Sequence, residues 1–253
     1  MGRKFFCWDM DDGLEQDRRV TELLRRYGMG GTFHLNPGLL GLRQMTRWEN
    51  DRPLEEVSLE AWRQLPGQYV RHFRVPEAEA ADVYRGFEVA AHGFLHRNVA
   101  LLSREALQAD IAAEQAAFLR LFGRQARGYA YPYGVSTGEA VRCLEQAGIR
   151  YARTTQIADS FAVPRDLLRL PIHGRPNRAD VFRRLDAFFR AEAEENLIFI
   201  MFAHGYEFDF QTPLSSWQRL EEICGLVASH PEICCCSVGE ALGVCEQKKP
   251  ERL

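Results

Sequence analysis

The chain has 253 residues, 46% of them hydrophobic and 26% charged, enough for one large core and too apolar for a disordered chain. Its 32 basic and 35 acidic residues, for a formal charge of -3, are mixed throughout and leave no electrostatic footprint for nucleic acid or anionic lipid. The longest apolar run, Leu197 to Ala203, is far short of the roughly 20 residues of a membrane-spanning helix, and charge breaks the apolar start of the chain too early for a secretion signal. No membrane span and a cytoplasmic location are expected. The seven cysteines include no CxxC pair, and three are consecutive, Cys234 to Cys236, so reduced, buried, structural thiols are expected rather than a zinc ribbon.

In chain order, Phe5 to Asp9 reads as a strand and Leu14 to Tyr27 as a helix stopped by Gly28. Gly31 to Asn36 is the next strand. Residues 37–85 carry Pro, Gly, Trp48 and Trp62 with weak periodicity, and are expected to be an insertion of short helices over one end of the scaffold. Trp48, Trp62, Tyr69 and Phe73 in it either present their rings to a ligand or pack a small core of their own. Order returns with a strand from Phe87 to Ala91 and a helix capped by Ser103 and closed by Gly123. A strand from Gly128 to Tyr131 leads to a helix for which Ser136 and Glu139 have capping-box spacing. Strands at Ile149–Arg153 and Leu168–Ile172, a helix at Ala179–Ala193, a buried strand at Leu197–Ala203, a helix opened by Thr212 and Pro213, and a last strand at Ile233–Val238 complete the order. Seven or eight strands alternating with helices fit an α/β fold, a single distorted (β/α) barrel filling residues 1–253 as one catalytic domain with the insertion at about 37–85. No glycine-rich phosphate loop follows the first strand.

Active sites of such barrels gather at the C-terminal strand ends, and the unusual residues fall there. After the first strand come Asp9, Asp11 and Asp12 before Gly13, acids that repel unless a cation or proton separates their roles. After the third come His92 and His96, an i, i+4 pair able to share one metal; with Asp12 they make an Asp-His-His set with open positions. Pro132, Tyr133 and Gly134 form a tight turn that aims a backbone N–H, and His204 ends the seventh strand.

These four segments, in this order, resemble the polysaccharide deacetylase family, carbohydrate esterase family four, with its chitooligosaccharide deacetylase homology domain. Cys7 to Gly13 match its Asp-Asp-Gly motif, His92 and His96 its His-x-x-x-His motif, Pro132 to Gly134 its Pro-Tyr-Gly motif, and Ile200 to His204 its last apolar strand ending in His. Gly31–Asn36 and Tyr151–Thr155 resemble one bacterial branch of that family. The resemblance implies a metal-dependent hydrolase that removes an acetyl group from an N-acetylated sugar or glycan, with a divalent metal, zinc first and other divalent transition metals next. It implies Asp11 as general base, Asp12, His92 and His96 as metal ligands, the Tyr133 backbone N–H as oxyanion donor, and His204 as the acid that protonates the departing amine.

Two departures accompany the resemblance. The Arg that many members carry two residues before the Pro of the third motif is Ala130 here, and Arg153 is the candidate replacement. The usual Asp-x-x-Asp-Trp segment is absent; Asp159, Glu207 and Asp209 are the candidates to support His204, and His173 is a candidate substrate-side or supporting residue. A haloacid-dehalogenase-like phosphatase using Asp9 and Asp11 is the other enzyme reading, although such an enzyme wants a later Lys and the chain has none between Lys4 and Lys248. A non-catalytic carbohydrate-binding protein on the same barrel is the third.

Overall fold

A computed structural model describes residues 2–50, 52–192 and 194–244. The elements are β1 (Lys4–Asp11), α1 (Asp17–Arg26), β2 (Gly31–Leu35), β3 (Arg43–Glu49), β4 (Arg52–Ser58), β5 (Gln68–Phe73), α2 (Glu77–Val83), β6 (Glu88–Ala91), α3 (Arg104–Phe122), β7 (Gly128–Ala130), α4 (Gly138–Gln146), β8 (Tyr151–Ile157), β9 (Leu170–Ile172), α5 (Val181–Arg190), β10 (Leu197–His204), α6 (Trp217–Ala228), β11 (Ile233–Cys235) and α7 (Val238–Ala241). Seven parallel strands run in the order β10-β1-β2-β6-β7-β8-β9. The His173 N–H donates to the Ile200 carbonyl at 2.9 Å and Gly174 bridges to Met201 in parallel, so β9 returns to β10 and the sheet is a nearly closed, distorted barrel. No helix among the described residues is long and apolar enough to cross a membrane.

Strand alternation divides the core in two. On β1, Phe6, Trp8 and Met10 join the layer under the helices, whereas Phe5 and Cys7 join Ile198, Ile200, Phe202, Tyr151 and Ile172 in a second cluster inside the barrel. The same period continues toward the C-terminal strand ends, where polar side chains replace apolar ones: Asp9 and Asp11 after Cys7, His204 after Phe202, and Arg153 after Tyr151. The apolar floor is thus roofed by charged groups whose burial needs mutual pairing.

The insertion differs from the expected short helices. β4, β3 and β5 form an antiparallel three-stranded sheet, and among the described residues the helical parts are two single 3-10 turns, Pro37–Leu39 and Trp62–Gln64, and the helix α2 after the sheet. Its alternation is hard to read because β4 is exposed along nearly its whole length and the buried positions of β3 and β5 include Thr46 and His72 beside Met45 and Val70. Trp48 stacks on Phe210 at 4.7 Å, Trp62 lies 6.3 Å from Tyr69, and Arg43 sits over the Phe73 ring; these aromatics pack the sheet and its support.

Several boundaries also move. Thr137, not Ser136, caps α4 by accepting from the Ala140 N–H. Ser216 caps α6, which starts after the Thr212–Pro213 turn. The last strand ends at Cys235, because Ser237 and Glu240 form a capping box that turns the chain into α7. Free cysteines at 7, 143, 224 and 234–236 are buried or half-buried, and burial pushes the Cys224 and Cys235 thiols up to about 12, which makes them inert. Cys245 lies outside the described residues.

Candidate active and metal site

Three buried or nearly buried side chains converge where β1 and β6 end. The Asp12 Oδ1 atom lies 3.7 Å from both His92 Nε2 and His96 Nε2, and ligand atoms of the three residues all lie within 4.8 Å of one another. Asp12 and His96 reach these positions through positive φ angles of 78° and 53°, a conformation that costs non-glycine residues energy and is kept where surrounding contacts enforce it. Those contacts are present. The Val75 N–H donates to the Gly13 carbonyl, and Glu15 N–H to the Phe73 carbonyl, so the inserted sheet clamps the loop carrying Asp12. On α3, the Glu114 carboxyl accepts from the His92 N–H at 2.9 Å, and the Asp110 carboxylate accepts from the Phe94 N–H and from Arg97.

The donor set fits a divalent metal. Asp12 Oδ1 and His92 Nε2 are both buried without a hydrogen-bond partner, an arrangement that leaves polar atoms unsatisfied unless a cation takes them. Protonation agrees. Burial lowers His92 to about 4, keeping it a neutral imidazole with a free ring nitrogen, while its Nδ1 faces the Ala130 carbonyl at 2.8 Å. Burial raises Asp12, but the nearby His72 and His96 outweigh it and hold the carboxyl well below its usual range.

Asp11 stands beside this set, its Oδ2 3.4 Å from His92 Nε2, and its other oxygen is bound by the Arg153 guanidinium. Arg153 is fully buried and also donates from Nε to Asp9 Oδ1 at 3.2 Å; His34 approaches the same Asp9 oxygen at 3.1 Å. Burial would raise the Asp11 carboxyl, but Arg153 and then His92 hold it far below the ordinary carboxylate value. The register explains how this cation arrives: Arg153 on β8 pairs with Ala130 on β7. Ala130 is thus the small inward residue beside which the neighbouring strand delivers a guanidinium.

Opposite, His204 Nδ1 bonds Glu207 Oε1 at 2.9 Å, and Arg175 binds that carboxylate at 2.6 Å. Burial lowers the His204 pKa, but Glu207 outweighs it and the imidazolium is favoured. Of the other candidates, Asp209 accepts from Gln16 and Trp217 instead, and Asp159 is exposed. Tyr133 has φ 60°, with its exposed ring against His96 at 4.8 Å, and Pro132 is buried at the start of the same turn, its Cγ near Gly93. Gly134 is required there: a Cβ would meet Thr155 Oγ1 at 2.1 Å.

His173 does not join the group. Its Nδ1 accepts from the Ile200 N–H and its ring packs against Phe161 and Phe199; burial lowers it to about 4, so it is a neutral residue of the aromatic layer. Asp9 is fully buried and its two oxygens are held by Arg153 and His34, the place of a paired acid and not of a free phosphatase nucleophile. Sequence reading passed over His34, His72, Arg175 and Glu114, and also Arg74, whose buried guanidinium lies 3.9 Å from Asp12 Oδ1. Period-2 alternation on β2 placed His34 inward with Thr32; for His72 no motif existed.

The family profile described as polysaccharide deacetylase matches residues 4–152, a span that takes in Asp11, Asp12, His92, His96 and the Pro132–Gly134 turn. No curated protein matches the chain. Among solved structures, a candidate polysaccharide deacetylase of Mycobacterium smegmatis aligns at TM-score 0.59 and 14% identity over 99% of this chain and 96% of its own. A family 4 acetyl xylan esterase of Clostridium thermocellum, in complex with a cobalt ion, aligns at 0.56 and 15% over 95% and 91%. A family 4 pseudoenzyme of Bacillus anthracis aligns at 0.56 and 14% over 96% and 66%. At these identities the likeness is one of fold, and the profile match over more than half of the sequence carries the assignment: the chain belongs to the polysaccharide deacetylase family.

Proposed function

We propose that the protein is a metal-dependent hydrolase that removes the acetyl group from an N-acetylated sugar, releasing acetate and a free amine. The observation that carries this reading is the convergence of Asp12, His92 and His96 beside an ionised Asp11 on one side and a Glu207-supported His204 on the other. Asp12, His92 and His96 would hold a divalent cation, zinc being the first candidate. When bound, it supplies Lewis-acid polarisation of a carbonyl oxygen and makes water more acidic.

Everything else falls to the chain's own groups. Asp11, fixed by Arg153, accepts the proton of the attacking water at its Oδ2. The Tyr133 backbone N–H, turned by its left-handed conformation, faces the oxygen on which charge develops. His204 Nε2 delivers a proton to the departing nitrogen, and Glu207 on Nδ1 fixes the tautomer and stabilises the imidazolium. The carbon–nitrogen bond breaks as that proton arrives, and acetate leaves. The free thiols of Cys7 and Cys236 lie in the apolar cluster inside the barrel and take no part.

The test is acetate release from a panel of N-acetylated sugars by the purified protein. Asp11→Asn is expected to lose turnover by about 10²-fold or more while retaining metal, and His92→Ala to lose both. An Asp11→Asn protein with unchanged turnover, or a His92→Ala protein with full metal content, contradicts the proposal.

A further inference from the structure

The inserted sheet brings one more histidine to this site. His72, on β5, is almost fully buried. Its Nδ1 lies 2.8 Å from the Thr46 hydroxyl on the adjacent strand β3, and its Nε2 lies 3.3 Å from Asp12 Oδ2. A second acceptor, Glu56 Oε1, is 3.6 Å from Nδ1, beyond hydrogen-bond reach. With Thr46 donating to Nδ1, the matching tautomer carries the ring proton on Nε2, the nitrogen 3.3 Å from Asp12 Oδ2. That nitrogen is buried and completes no hydrogen bond in this geometry, with Asp12 Oδ2 in ion-pair range.

The two oxygens of Asp12 therefore face different ways. Oδ1 faces His92 and His96, and Oδ2 faces His72. The relative placement is fixed by the backbone, because Leu14 and Arg74 form an antiparallel bridge and Val75 donates to Gly13. The His72 ring also packs on Tyr206 at 5.0 Å, and Tyr206 stacks on His204 at 5.1 Å, so the insertion reaches both the ligand side and the acid side of the site.

We propose that His72 is a positioning residue for the metal ligand Asp12: its Nε2–H holds Oδ2 and so turns Oδ1 toward His92 and His96. It acts through Asp12 and is not itself a ligand. A carboxylate held in this way by a neighbouring donor binds its metal more tightly and in one geometry. The inference rests on the metal-site reading above, and it assigns the inserted sheet a role in the chemistry rather than in covering the barrel alone.

The experiment is a titration of the metal-free protein with zinc ion against a competing chromophoric chelator, for wild type, His72→Phe, His72→Gln and Thr46→Val, with urea denaturation of each metal-free protein alongside. His72→Phe is expected to weaken zinc about 10- to 100-fold, and His72→Gln, whose amide can still donate to Oδ2, to recover most of it. Thr46→Val is expected to lose a smaller part. A residue that merely fills space would alter the urea midpoint and leave zinc affinity alone, which overturns the proposal. Cobalt in place of zinc gives the second readout: His72→Gln, whose amide restores a donor to Oδ2 but does not replace an imidazole ligand, is expected to return the wild-type ligand-field spectrum, and a spectrum that stays altered in that variant makes His72 a direct ligand and overturns the proposal. Should His72→Phe fail to fold, the other two variants carry the same comparison. Failure of wild type to bind zinc would instead remove the metal-site reading itself.

Discussion

Replacing Arg153 by Met tests the reasoning about the base most severely. The side chain is fully buried and is shared by two carboxylates, with Asp9 Oδ1 at 3.2 Å from both Nε and Nη2 and Asp11 bound by Nη2. Met fills similar volume under the Phe202 ring, which the guanidinium covers at 4.2 Å, so the change removes charge rather than packing. What remains is two acids on the same face of β1, inside the barrel, with His34 against Asp9 and His92 against Asp11 in place of a permanent cation. Breaking a buried pair from one side costs about 3–5 kcal/mol, and urea denaturation of the metal-free protein followed by circular dichroism is expected to show that loss. Adding Asp9→Asn removes one of the two stranded charges and is expected to restore about 1–3 kcal/mol, a coupling typical of groups in direct contact. Acetate turnover should fall about 10²-fold, because Asp11 loses the cation that keeps it ionised and oriented. Zinc affinity should change little, since Arg153 does not touch Asp12. An Arg153→Met protein within about 0.5 kcal/mol of wild type and with normal turnover would refute the account of how Ala130 is compensated.

Glu207→Gln is expected to draw in the basic limb of the pH profile of kcat/KM. Glu207 raises the His204 pKa, so removing its charge makes the imidazolium lose its proton at lower pH, and activity falls off earlier on the alkaline side; an unmoved limb contradicts the assignment. Asp17 predicts a pH effect on stability. Burial raises its carboxyl to about 8 from an ordinary 3.8, although Tyr84 and the Leu14 N–H both bond it. The folded chain then keeps a proton that the unfolded chain releases, so stability of the metal-free protein falls as pH rises from about 4 to about 8, by up to about 1.4 kcal/mol per pH unit. Asp17→Asn keeps the acceptor and should flatten that slope in thermal melts; an equal slope in the variant would show that Asp17 is not the group responsible.

The barrel was legible because its strands are short apolar runs separated by helices with clear glycine stops, a pattern that few other folds produce. The inserted sheet was not, because its signal is distributed over residues such as Thr46 and His72 that are buried for their bonds and not for their hydrophobicity. Within the site, Asp12, His92 and His96 stood out as polar residues at strand ends. The need for a cation at Ala130 was visible too, and Arg153 stood as the candidate to meet it, but the cross-strand register that brings it there is a property of the folded sheet, in which β7 and β8 pair Arg153 with Ala130. Asp9 read as one more acid in a crowded loop, whereas alternation on β1 sends it inward below Asp11. His173 misled for a related reason: it follows a strand, as site residues do, yet the bridge from Gly174 to Met201 turns the chain back along the wall and leaves the imidazole among phenylalanines.

The most direct measurement of the central claim is acetate release from an N-acetylated sugar as a function of metal bound per chain, starting from chelator-stripped protein and adding zinc or cobalt in steps. The account predicts no turnover at zero occupancy and a linear rise that stops at one metal per chain, with His92→Ala flat throughout. Full turnover by the stripped protein, or a chain that fills with metal at Asp12, His92 and His96 and releases no acetate from any N-acetylated sugar, would contradict it.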